Sequence, residues 1–210
     1  MHDNRSYRSA VVLGAWEGRT TEALDIMGEE TLAKLTSADT NGAAAIIHQK
    51  IPPMSGPPLH RHSREDEWFY ILEGELTFEV DGQRTIVRSG GSAFVLRGTA
   101  HTFRNFGADS VKILVMVMPG AFQRFLEELS LLTKGQPGPD LGRVERLMNN
   151  YGIELLGPAI SMTTQSVASE SFALAAEEGR TRQPLNILGG ASTLAKLTKD
   201  DTDGTIAIFR

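Results

Sequence analysis

Residues 57–76 read PPLHRHSREDEWFYILEGEL: two histidines one residue apart, an acidic cluster, and then a run with strand character. Side chains alternate across an extended chain, so His60 and His62 project from the same face. Only 5 histidines occur in 210 residues, and here two of them aim at one point. The run DEWFYIL is rich in aromatic and apolar residues and ends at the turn pair Glu73-Gly74, as a strand would.

Working outward, the same signals recur from about Ala43 to Met118. AAAIIHQKI, ELTFEV, QRTIVR, SAFVL, AHTFRNF and VKILVMVM are short β-rich runs, divided by turn residues such as Asp81-Gly82 and Gly90-Gly91. Asp81-Gly82 predicts a tight hairpin, because a primed turn needs positive φ and Gly accepts it without steric cost. A mainly β protein follows, built as a small antiparallel barrel or sandwich. After Pro119-Gly120 the period changes. Phe122, Phe125, Leu126, Leu129 and Leu132 fall at helical spacing, as do Leu141, Val144, Leu147 and Met148 behind a potential N-cap, Asp140. Two short amphipathic helices are expected there, separated by GQPGP at 135–139. The organisation predicted is a barrel with N-terminal strands over 1–120, a helical extension over 121–158 that ends in YGIELLGP, and a linker with a partial repeat over 159–210.

Composition narrows the chemistry. The chain is 40% hydrophobic and 22% charged, enough for one compact domain with appendages. Its net charge is −5, and Lys and Arg are scattered, so a nucleic-acid or anionic-membrane footprint is not expected. There are no cysteines, which excludes thiolate metal sites and cysteine nucleophiles. No stretch approaches the ~20 apolar residues of a membrane span, and the opening MHDNRSYRSAVVLG lacks the apolar core of a signal peptide. The cytoplasm is the expected location.

Glu67 follows His62 beyond a turn at 63–66 and can enter the next strand facing back toward the two imidazoles, while His101 comes from a later strand. Three imidazoles and one carboxylate suit Fe(II), Mn(II), Co(II), Ni(II), Cu(II) or Zn(II) better than Mg or Ca. Four ligands leave open positions on an octahedral ion for a substrate or an activated water. Glu65 and Asp66 read as a solvated acidic turn, with Glu65 as reserve ligand because it shares strand parity with Glu67. His48 and His2 carry no constellation and read as structural or exposed. Phe69, Ile71, Leu76, Phe78, Phe94, Phe103 and Met116 are expected to pack the barrel, giving any pocket an apolar wall.

These residues carry a resemblance. His60-x-His62-x4-Glu67-x6-Gly74 matches the first cupin motif, and Gly90-x7-Gly98-x2-His101-x3-Asn105 matches the second. The chain thus resembles metal-binding cupins of the quercetin 2,3-dioxygenase-like kind over about residues 40–120. Leu96 stands where the second motif usually has Pro, and the Gly before the histidines sits at 56 rather than 54. The resemblance implies a double-stranded β-helix, a conical antiparallel barrel with His60, His62, Glu67 and His101 as ligands of an internal divalent transition metal, and frequent homodimerisation. It also implies a small-molecule substrate. A dioxygenase acting on an enol or phenol, with Glu67 as base, is the leading expectation. A non-redox isomerase or decarboxylase and a non-catalytic binding cupin are the alternatives. Arg104, a candidate to hold a carboxylate, is turned outward by its parity with His101.

A further pattern is independent of family. EGRTTEALDIMGEETLAKLTSADTNGAAAII at 17–47 returns as EGRTRQPLNILGGASTLAKLTKDDTDGTIAIF at 178–209, with one inserted residue near 191. The identical pieces EGRT, TLAKLT and DT-x-G mark an internal duplication. The second copy resembles the start of a second cupin repeat and should form the same strand-turn-strand piece. Its expected place is a free sheet edge in a homodimer, or else the stump of a second barrel.

Overall fold

The computed structural model describes residues 10–20, 22–135 and 140–162, together with the backbone of 173–174, 185–187, 191–193, 195–197 and 208–209. Strands β1 (Leu24–Ile26), β2 (Glu29–Leu35), β3 (Ala45–Ile51), β4 (Leu59–His62), β5 (Asp66–Glu73), β6 (Glu75–Val80), β7 (Gln83–Arg88), β8 (Ser92–Val95), β9 (His101–Arg104) and β10 (Val111–Met118) are followed by helices α1 (Phe122–Thr133) and α2 (Leu141–Asn150). Strands β11 (Ile153–Gly157) and β12 (Ala173–Leu174) come next, and β13 (Leu185–Ile187), β14 (Ala191–Thr193), β15 (Ala195–Leu197) and β16 (Ile208–Phe209) lie in the second copy of the repeat. A large sheet has the order β1-β2-β3-β10-β5-β8-β12, and a smaller one the order β11-β4-β9-β6-β7. Neighbours pair antiparallel throughout the described strands.

Between the sheets lies one apolar cluster. Ile47, Ile51, Ile71, Leu76, Phe78, Ile113 and Val117 are at most 1% exposed within it. Strand alternation sorts β10 cleanly: Ile113, Val115 and Val117 enter this cluster, while Met116 and Met118 join Trp68, Phe94 and Ala44 on the other face of the large sheet. Phe94 and Met116 therefore do not fill the barrel as their hydrophobicity suggested. The remaining five of the expected packing residues do.

Asp81 and Gly82 both have positive φ, 48° and 77°, and close the tight β6–β7 hairpin between Val80 and Gln83. Gly56 serves by its smallness. A Cβ there would stand 2.1 Å from the Phe103 carbonyl oxygen, so the loop after β3 can lie against β9 only without a side chain. Met54 N–H donates to the Asn105 carbonyl at 2.8 Å, and Asn105 N–H to the Ser55 carbonyl at 3.0 Å.

Both expected helices form. The Asp140 carboxylate accepts from Arg143 N–H at 3.1 Å as the N-cap of α2. Phe125, Leu126 and Leu129 of α1, with Met148 of α2, extend the inner cluster beyond the barrel. The 121–158 segment is not helical to its end: Ile153–Gly157 becomes β11 and pairs with β4, setting Ile153 opposite His62 and Leu155 opposite His60. The GQPGP run lies largely outside the described residues.

Candidate metal centre

Two strands of the small sheet and one of the large sheet converge here. β4 turns His60 and His62 inward and leaves Arg61 between them to pair with Glu154 of β11 at 2.7 Å. β9 brings His101 opposite His60, and β5 contributes Glu67. All four are buried, between 1% and 8% exposed. One donor atom from each lies within 4.8 Å of all the others, so the group can hold a metal ion. His101 Nε2 stands 2.8 Å from Glu67 Oε2, and His62 Nε2 stands 3.4 Å from the same oxygen.

The second nitrogen of each ring explains this aim. His60 Nδ1 lies 2.8 Å from the Pro58 carbonyl, His101 Nδ1 3.0 Å from the Thr99 carbonyl, and His62 Nδ1 3.3 Å from Glu65 Oε2. Carbonyls and carboxylates accept, so each Nδ1 carries a proton, and this anchor fixes the ring so that its Nε2 points to the shared centre, where it would be the ligand atom. His62 Nε2 is buried without a hydrogen-bond partner. An orphaned buried nitrogen beside an anionic carboxylate is the environment that a cation would satisfy.

The charges agree with this. Burial pushes the His60 imidazole down to about 3, and His101 beside it adds to the effect, so the ring is a neutral donor. Burial alone would raise Glu67, but His62 beside it and the hydrogen bond from His101 outweigh it and hold the carboxyl at about 2. For His62 the balance runs upward: burial lowers it, and the Glu67 and Glu65 carboxylates more than reverse that.

Glu65 corrects the expectation of a solvated acidic turn. It is 2% exposed and holds His62 in place. The cover comes from far along the chain: Ser63 N–H and Oγ both donate to the Gly152 carbonyl, at 2.9 and 2.8 Å, and the Arg64 guanidinium to that of Asn150 at 3.2 Å. The end of α2 thus closes over residues 63–65. Asp66 is not free in solvent either, since Arg97 holds it through three bonds, from its backbone N–H at 2.8 Å and its guanidinium at 2.9 and 2.7 Å. Sequence reasoning also missed Phe122, whose ring lies 5.0 Å from that of His62; its helical spacing pointed to core packing only. His48 is buried on the outward face and stacks on Trp16 at 4.6 Å, remote from the cluster, and His2 lies outside the described residues. Arg104 turns away, donating to the Ile160 carbonyl at 3.2 Å.

Residues 47–117 match the family model of the cupin domain. Over 93 residues the chain is 32% identical to the oxalate-binding protein of Thermotoga maritima, covering 43% of this chain and 77% of that protein. This chain is a cupin. Other similar proteins include the tetracenomycin polyketide synthase protein TcmJ of Streptomyces glaucescens, 25% identical over 56% of this cupin and 70% of TcmJ. Quercetin 2,3-dioxygenase of Bacillus subtilis is 27% identical over 53% of this cupin, which spans 34% of that enzyme. Among solved structures, a predicted oxalate decarboxylase from Thermotoga maritima aligns at 30% identity with a TM-score of 0.41, over 43% of this cupin and 80% of that chain.

Proposed function

We propose that His60, His62, Glu67 and His101 ligate a divalent transition metal and that this cupin is a dioxygenase acting on a small enolic or phenolic substrate, flavonol-like compounds included. The observation that carries the reading is the set of three imidazoles, each anchored through Nδ1, around one buried carboxylate. A bound ion would supply Lewis-acid and redox chemistry at the positions these four side chains leave open. The chain's own part is to bind, orient and take a proton. Glu67 is ionised at neutral pH, and its Oε2 faces His62 and His101, so Oε1 is the atom assigned to accept the substrate's hydroxyl proton. Val95 and Val117, opposite Glu67 in register, and Phe122 against His62 make the surroundings apolar and suit a planar organic ligand.

A second reading, non-redox binding or decarboxylation of a small oxygenated acid, draws support from the oxalate-binding relative. Arg104 does not serve it, because its guanidinium is engaged at Ile160. Metal analysis of protein purified without added ions, followed by oxygen-uptake measurements over enols, diketones and polyphenols, separates the two. Uptake with none of them, alongside tight binding of oxalate, would replace the first reading by the second. Within the first reading, His62→Ala should lose most of its metal while the barrel stays folded. Glu67→Gln should keep part of its metal through the imidazoles, with turnover reduced about 10²–10⁴-fold. Full metal occupancy in His62→Ala would sink the ligand assignment.

A further inference from the structure

The two copies of the repeat share a backbone register as well as a sequence. In the first, Leu24 pairs with Thr31 and Ile26 with Glu29; in the second, the matching residues Leu185 and Thr193, and Ile187 and Ala191, pair in the same way. Ala33 pairs with Ile47 and Leu35 with Ile46 across a register shift, and Ala195 with Phe209 and Leu197 with Ile208 across the same shift. An irregularity repeated at the same place marks one structural piece used twice.

Immediately before this second piece, β12 adds to the free edge of β8, Ala173 opposite Ala93 and Leu174 opposite Ser92. The chain is thereby led to the edge of the large sheet, next to Phe94. On the outward face of that sheet Trp68, Phe94, Met116, Met118 and Ala44 are only 4–7% exposed. Helices α1 and α2 do not account for this, because their buried apolar residues belong to the inner cluster.

We propose that the second copy, residues 185–209, is laid on this outward face and is the layer that keeps Trp68, Phe94, Met116 and Met118 from water. A two-stranded hairpin alone is marginal in water and needs such a surface. Its runs LNIL and TIAIF carry no charge. Residues 175–184 span up to roughly 33 Å when extended, whereas the face from β8 across β5 and β10 to β3 is about 14 Å wide.

The test uses the full chain. With Trp16→Phe, Trp68 is the single tryptophan, since the sequence has 2. Its emission should be blue-shifted and poorly quenched by acrylamide. Leu197→Asp with Ile208→Asp should shift it to the red and raise quenching severalfold while the far-ultraviolet circular dichroism of the barrel persists. Unchanged quenching overturns the proposal. Because the chain has no cysteines, Tyr70→Cys combined with a cysteine placed in turn at 206–209 gives an independent readout with a short bismaleimide. Cross-links within one chain are expected. Links only between chains, or none at any position, overturn it.

Discussion

Glu65 and Glu67 are two positions apart and meet His62 from opposite sides, one at Nδ1 and the other at Nε2. Removing the first should therefore weaken metal binding without removing a ligand. Glu65→Gln is expected to raise the metal dissociation constant about 10–100-fold, the usual consequence of losing the partner that orients a ligating imidazole. Competition against a chromophoric chelator measures it, and an unchanged constant would make Glu65 a packing residue only. Glu29 offers a test remote from the ligands. Burial raises its carboxyl from 4.5 to about 7, against a smaller lowering by the hydrogen bond from Ser55, whose Oγ donates at 2.6 Å. The folded protein then holds a proton that the unfolded chain has already released. Stability is full below about pH 4.5 and falls as the pH rises to about 7, by on the order of 3 kcal/mol. Glu29→Gln keeps an acceptor for Ser55 and removes the charge. It should melt at higher temperature than the wild type at pH 8 and converge with it near pH 5; parallel melting curves across that range would reject the account.

At the scale of elements, what was legible in the sequence is what depends on the backbone alone. The period of two aligned His60 with His62, the Asp81-Gly82 pair placed a hairpin, and the helical spacing from Phe122 found α1. What was not legible depends on distant closure. The burial of Glu65 follows from hydrogen bonds of Ser63 and Arg64 to residues 86–89 positions away, and no local pattern in SREDE announces them. β11 was hidden for a related reason: YGIELLGP is apolar enough to extend a helix, and only its pairing with β4 decides for a strand. Phe94 and Met116 were misplaced because the large sheet is apolar on both faces, so hydrophobicity could not say which face was which.

For the whole molecule, the inner cluster rather than an ion is expected to be the main source of stability. Phe78, 1% exposed, packs edge-on to Phe69 at 5.2 Å and lies 5.6 Å from Phe103. Phe78→Ala should cost about 3–5 kcal/mol, seen as a shift of the urea midpoint. Stripping metal should cost less and leave a folded protein: a site filled at 100 times its dissociation constant adds about 2.7 kcal/mol. Cooperative melting with intact near-ultraviolet dichroism in excess chelator is the expected result, and its absence would make the ion a folding element. The position of Phe122 bears on time rather than on affinity. Its ring, at the start of α1, lies against His62, and His60, His62, Glu67 and His101 are all buried. If that turn covers the way out, a bound ion would leave only when it lifts. Its escape should then run at the rate of the protein's own opening, independent of how much chelator waits outside, and Phe122→Ala should hasten escape more than it changes occupancy at equilibrium.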